Sequence, residues 1–352
     1  MTAGWQNGLR DAVRDLDPGY FALVMATGIV SQAVRLDGAA GLSGILLGVT
    51  IAAYLLLAAA YGWRLVSYRA RLRADAADPR RAFSLFTFVA GTDVLAARLA
   101  ADRHLAAAAV LAAVGAASWL ALSYGLPLLL ARQRRPRAVL ASANGSWFLW
   151  VVAAASVAVA ATSVAAPVPA ALAAAAVACW AVAVLLYLLT AVLVTGALLV
   201  YGLRPAELTP AYWVFMGATA ISVLAGAQIL RLAPGPLAAA VHGVVAGLSV
   251  VLWAFGTWLI PFLLAAGIWR HGRHRVPLGY EPGLWSLAFP VGMYGVASHE
   301  LGQAIGVSWL VTLGRDEAWL ALAVWAAVAA AMGWAAARRL ASRVPARTHA
   351  AR

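Results

Sequence analysis

The chain has 352 residues, of which 64% are hydrophobic and 11% charged, with a mean hydropathy of +0.85. Soluble domains carry about a quarter charged residues, so a water-soluble globule is excluded and lipid must solvate much of the surface. The net charge of +13 comes from 26 basic residues, all arginine, in blocks between apolar runs. That spacing follows the positive-inside pattern of membrane proteins and argues against nucleic acid as a partner.

At roughly 20 residues per helical crossing, the apolar runs predict ten spans: 18–36, 42–66, 82–101, 104–131, 147–166, 168–203, 210–232, 238–268, 283–306 and 318–341. The expected division is a cytoplasmic segment 1–17, a ten-helix transmembrane domain 18–341 and a basic cytoplasmic tail 342–352. The first segment, with Asp11, Asp15 and Asp17, lacks the pattern of a signal peptide. With both termini in the cytoplasm, 21 arginines lie inside, whereas Arg35, Arg98, Arg103, Arg231 and Arg315 lie outside. A multi-pass protein of the cell (inner or plasma) membrane is expected. The run 168–203 has no turn cluster at its middle and reads as one helix of roughly 54 Å. The link near Pro167 reads as tight. Ten helices with short outer and longer inner links make five hairpins.

The odd and even spans differ. Odd spans begin with breakers, such as Pro18–Gly19, Asn144–Gly145–Ser146 and Pro282–Gly283, and carry the intramembrane polar groups. These include Thr27, Ser31, Thr92, Asp93, Ser156, Thr219, Ser222, Gln228, His299 and Glu300. Polar groups avoid lipid, so an inner ring of odd helices around an axis, jacketed by the even ones, is the expected fold. Gly44–Gly48, Gly243–Gly247 and Gly302–Gly306 have GxxxG spacing and suggest close helix packing.

The ninth span, WSLAFPVGMYGVASHELGQAIG, concentrates the unusual chemistry. Pro290 cannot donate to the Ser286 carbonyl. Phe289 beside it is either a gate or a packing residue. His299 and Glu300 diverge by about 100° on a helix, so both cannot face one pore. They lack zinc-binding spacing, and Glu300 is expected to pair with Arg231 or Arg35. Asp93 is either a proton or substrate site or a structural partner. Arg35, Arg98 and Arg231 all end odd spans on the outer side, as a cationic vestibule or as headgroup anchors. The single Cys179 offers no thiolate cluster, and no cofactor or metal is expected.

PGYFALVMATGIVS, FTFVAGTDVLAARL, PAYWVFMGATAISVLAG and WSLAFPVGMYGVASHELG resemble the tellurite-resistance/C4-dicarboxylate transporter family. That family includes bacterial tellurite-resistance proteins, fungal malate and sulfite transporters, and plant guard-cell slow anion channels. The resemblance implies a homotrimer of ten-helix protomers, each with an anion pore lined by odd helices and occluded by a phenylalanine at the position of Phe289. Gly28, Gly91, Gly217 and Gly292, near the odd-helix midpoints, are then expected to line the pore and let it open. The long regulatory tails of the plant channels have no counterpart in this sequence. The functional expectation is transport of small anions: malate-like dicarboxylates, sulfite or inorganic anions. The alternatives are a proton-coupled carrier using Asp93 or His299 and, more remotely, a membrane-embedded enzyme or assembly subunit.

Overall fold

The computed structural model describes residues 2–133, 136–164, 168–232 and 236–341. The link near Pro167 and the tail 342–352 lie outside the described residues. Within them every regular element is helical: α1 (Thr2–Arg14), α2 (Ala22–Leu36), α3 (Ala40–Ser67), α4 (Arg69–Ala77), α5 (Phe86–Ala101), α6 (Leu105–Ala131), α7 (Pro136–Ala141), α8 (Leu149–Ser163), α9 (Ala170–Tyr201), α10 (Val214–Leu230), α11 (Pro236–Ile268), α12 (Trp285–Ile305) and α13 (Ser308–Ala341). An apolar medium leaves no water for free N–H and C=O groups, and the helix satisfies them internally.

Eight helices are long and apolar enough to cross a membrane by length and composition. Two are not among them: α2, an apolar helix of 15 residues, and α12, which contains Pro290, three glycines and His299–Glu300. The run 168–203 is the single helix α9, as its lack of turn residues predicted. The last helix departs from expectation. Gly306 ends α12 in the left-handed region at φ +74°, and the Val307 N–H bonds the Gly302 carbonyl at 2.8 Å. The chain reverses within two residues, so α13 begins at Ser308 and includes Arg315–Glu317, where a connection was expected. The short helices α1, α4 and α7 were not foreseen.

Helices α5, α8, α10 and α12 each begin with a 3₁₀ turn: Ala82–Leu85, Gly145–Phe148, Pro210–Trp213 and Pro282–Leu284. Two of these turns open on a proline, whose fixed φ suits a helix start. Asn144 caps the α8 turn by accepting from the Ser146 N–H at 2.8 Å.

The contacts close on themselves. Helix α2 packs on α5, α5 on α8, α8 on α10, α10 on α12, and α12 returns to α2. Each of these five also packs on the helix that follows it in sequence, and α12 with α13 is the most extensive pairing. Burial separates the two sets. The segments 82–101, 145–163 and 210–230 are 72–83% buried, against 11–39% for the five long outer helices.

Aromatic and hydroxyl side chains fasten each outer helix to the next inner one in sequence. Thr92 on α5 donates to the Tyr54 hydroxyl on α3 at 3.2 Å, and the Trp150 indole on α8 donates to Ser123 on α6 at 3.2 Å. Trp180 on α9 reaches the Ser222 carbonyl on α10 at 3.0 Å, and Trp253 on α11 reaches Ser298 on α12 at 2.9 Å. Trp325 on α13 closes the circuit on Thr27 of α2 at 2.9 Å. Many polar groups of the inner set therefore face the outer helices and not an axis. Of the glycines with GxxxG spacing, only Gly302 mediates a close approach. A Cβ at Gly44, Gly48, Gly243 or Gly247 would meet nothing within 4 Å, whereas one at Gly302 would lie 2.8 Å from Leu310 of α13.

Candidate functional site

Two cavities lie at opposite ends of the five-helix ring. The lower one, about 390 Å³, is lined where the five inner helices begin, by Gly19, Ser84, Thr87, Ser146, Tyr212, Pro282 and Ser286 among others. The upper one, about 520 Å³, draws on all five inner helices nearer their C-termini.

Between the cavities the ring is apolar. On α12, Ser286 lines the lower cavity and Met293, Val296 and Glu300 line the upper one. Steps of three and four residues put these on one helical stripe. Phe289 sits on that stripe between Ser286 and Met293 and is fully buried. Seven residues of rise place the two lining positions about 10 Å apart along the helix. On α5, Val89 and Ala90 fill the interval between Thr87 and Asp93; on α8, Val152 and Ala153 lie between Leu149 and Ser156. Phe289 is the largest of these side chains.

Of the four glycines, only Gly28 lines a cavity. Gly217 makes room for Pro290, whose Cγ lies 2.8 Å from where a Cβ would stand. Gly91 packs against Phe21 and Val24, and Gly292 against Ile29 and Val30 of α2. These three mediate helix contacts.

Asp93 lines the upper cavity, yet it is 1% exposed. Ser156 donates to its Oδ2 at 2.8 Å, while Oδ1 is buried without a protein partner. Its niche depends on Gly115 of α6, where a Cβ would collide with the carboxylate. Gln32 lines the same cavity, and its Oε1 is also buried without a partner.

The arginines of the upper end are held by carboxylates. Arg231 pairs with Glu300 at 2.5 Å, and Arg35 pairs with Asp102. Arg98 is 3% exposed and contacts Asp102 at 2.7 Å, Ser31 at 2.9 Å and Ser43 at 2.8 Å. It clamps α2, α3 and α5 together; it is not a free vestibule charge. Three guanidiniums against Asp102 and Glu300 leave one positive charge before Asp93 is counted. Burial pushes the Asp102 carboxyl up, but Arg98 and Arg35 outweigh it and hold it below the usual carboxylate range. His299 turns away from the cavity. Its Nδ1 lies 3.3 Å from the Val311 carbonyl of α13 and its Nε2 2.8 Å from Gln303.

Sequence reasoning missed the lower-end ionic groups. Arg64 and Asp75 form a buried pair at 2.6 Å, and Arg81 joins Asp75 at 3.0 Å. Among the described residues no cluster of histidine, cysteine and carboxylate groups could hold a metal ion.

Eight apolar helices of membrane length, with two cavities that carry polar groups at opposite ends of the inner ring, define a polytopic membrane protein. The chain belongs to the SLAC1 family, the voltage-dependent anion channels of tellurite-resistance/C4-dicarboxylate transporter type, whose model matches residues 15–332. "Uncharacterized membrane protein Rv1735c" of Mycobacterium tuberculosis H37Rv is 58% identical over 135 residues, 38% of this chain and 68% of that protein. "Uncharacterized membrane protein MT1776" of the CDC 1551 strain matches over the same shares. Membership of this family makes the protein a membrane channel or transporter for anions.

Proposed function

We propose that α2, α5, α8, α10 and α12 surround an anion path plugged by Phe289, and that these five and the five outer helices α3, α6, α9, α11 and α13 all cross the membrane as five hairpins. The observation that carries this reading is the stripe on α12: Ser286 in the lower cavity, buried Phe289, then Met293 in the upper cavity. The lower end is cytoplasmic, as the arginine blocks require, in the inner or plasma membrane. The domain is 18–341, and the family points to a homotrimer in which each protomer has its own path. The substrates are small anions of the malate, sulfite, chloride or nitrate kind. With few unpaired charges on the path, selection rests on dehydration cost and a diffuse positive potential. Phe289→Ala should raise anion conductance in reconstituted membranes. Correctly inserted protein with unchanged conductance would remove Phe289 from the mechanism.

A second reading, proton-coupled carriage, is favoured by one observation: the buried Asp93 carboxylate on the upper cavity wall with its unpartnered Oδ1. In that case anion flux into liposomes follows a pH gradient and collapses in Asp93→Asn. Flux that follows voltage alone selects the channel. His299, bonded toward α13, has no contact with the cavity through which to take part.

A further inference from the structure

The lower cavity has a feature that occlusion by Phe289 does not require. The five inner helices start around it. Where the positive end of each helix dipole meets a cavity, roughly half an elementary charge is presented. An N-terminus alone recruits nothing specific, but here the side chains agree with the field. Ser146, on the first turn of the 145–163 helix, lines the cavity and is 4% exposed, and its Oγ is buried without a protein partner. Ser84 and Ser286, on the opening turns of two other inner helices, line the same cavity and make no protein hydrogen bond through their hydroxyls.

A buried hydroxyl without a partner costs free energy that a ligand can recover, and a hydroxyl beside helix N-termini is a donor suited to an anion. The charged rim limits what fits. Arg80 and Arg81 stand there against Asp17, Glu207 and Glu281, so the side chains carry one net negative charge. The rim carboxylates are 41–45% exposed at their side chains and are screened by salt, whereas the helix ends act on the floor. Five ends supply about +2.5, and the C-terminal end of α9, whose last turn lines the same cavity, takes back about 0.5; with the rim's one net negative charge this leaves about one positive charge, a field matched to a single negative charge.

We infer that the floor of the lower cavity, at Ser146 with Ser84 and Ser286, binds one small monovalent anion directly beneath the plug. This deepens the anion-path reading and rests on it. Ser286 is one helical turn below Phe289, so the bound ion waits, partly dehydrated, at the point where the apolar interval begins. The site favours halide or nitrate over a dicarboxylate, whose second charge would face the rim carboxylates.

The test uses the full-length protein in detergent and bromide as the probe, with gluconate holding ionic strength constant. Bromide should raise the unfolding midpoint saturably. Ser146→Ala, which deletes no protein hydrogen bond, should weaken the half-saturating concentration by about tenfold, the factor one hydrogen bond to a charged group represents. Ser286→Ala should weaken it too. No bromide-specific stabilisation, or the same titration in wild type and both variants, overturns the site. The conduction reading is judged separately by flux through Phe289→Ala. Bromide binding that needs Ser146 in a protein that passes no anion keeps the site and sinks the path. Flux without bromide stabilisation does the reverse.

Discussion

Arg98 offers the sharpest test of how the upper end is built. A vestibule arginine would act on passing ions, whereas a clamp acts on the fold. In the structure Arg98 is buried and bonds Asp102, Ser31 and Ser43, which joins α5 to both α2 and α3. Removing one partner of a buried ion pair costs ~3–5 kcal/mol. Here the lower end of that range applies, because each group left behind keeps a partner. Asp102 retains Arg35, and Ser31 and Ser43 remain bonded to each other at 2.8 Å through hydroxyl and carbonyl. Arg98→Ala should therefore cost about 3 kcal/mol. Arg231, with its side chain 51% exposed and paired with Glu300, should cost about 0–1 kcal/mol on the same substitution and act mainly on anion flux at low salt. Reversible unfolding in mixed micelles, measured for both variants, separates the cases. Equal, small losses for the two would refute the clamp.

Other expectations follow from the same geometry. Gly115→Ala should cost about 1–3 kcal/mol by displacing Asp93 from Ser156, while Gly44→Ala, with open space around it, should be neutral or slightly stabilising; thermal melts of the pair check this. Asp102, held below the usual carboxylate range by Arg98 and Arg35 after burial is overcome, stabilises the upper end above its unfolded pKa of about 3.9. That contribution is lost as pH falls through the lower folded value. Asp102→Asn should lower stability by a constant amount at neutral and alkaline pH and converge with the wild type below the folded pKa of Asp102, so the acid limb flattens. A Cβ at Gly314 would collide with the Gly295 carbonyl, so Gly314→Val should separate α12 from α13 and lower the unfolding midpoint more than Gly243→Val.

Much of the architecture was legible because it is written in coarse variables. Arginine blocks and apolar run lengths located the long helices, and the absence of a turn cluster identified α9 as one element. Polar content picked out the helices that are most buried, but the physical cause differs from the one inferred. Thr27, Thr92 and Ser298 are bonded by the outer helices, and Asp93, Ser156, Gln228 and Glu300 are among the polar groups that line the upper cavity. A sequence gives the depth of a side chain in a helix but not which neighbour it faces, so His299 and Arg98 were open questions until their partners were seen. Gly115 was invisible for the same reason: it matters through one close contact, with Asp93 of a different helix. The start of α13 was misplaced because Arg315, Asp316 and Glu317 read as a loop, whereas the left-handed Gly306 already turns the chain.

The fastenings between outer and inner helices have a mechanical consequence. Turning any inner helix about its own axis would strain a bond to an outer helix on a neighbouring hairpin, and the five bonds form a closed circuit. The ring is thus a braced frame. Phe289 belongs to none of those bonds, so swinging its ring needs only side-chain torsion and local repacking. If Phe289 is the plug proposed above, the five-helix ring works as a rigid housing with one moving part, and substitutions that retune that part need not redesign the housing.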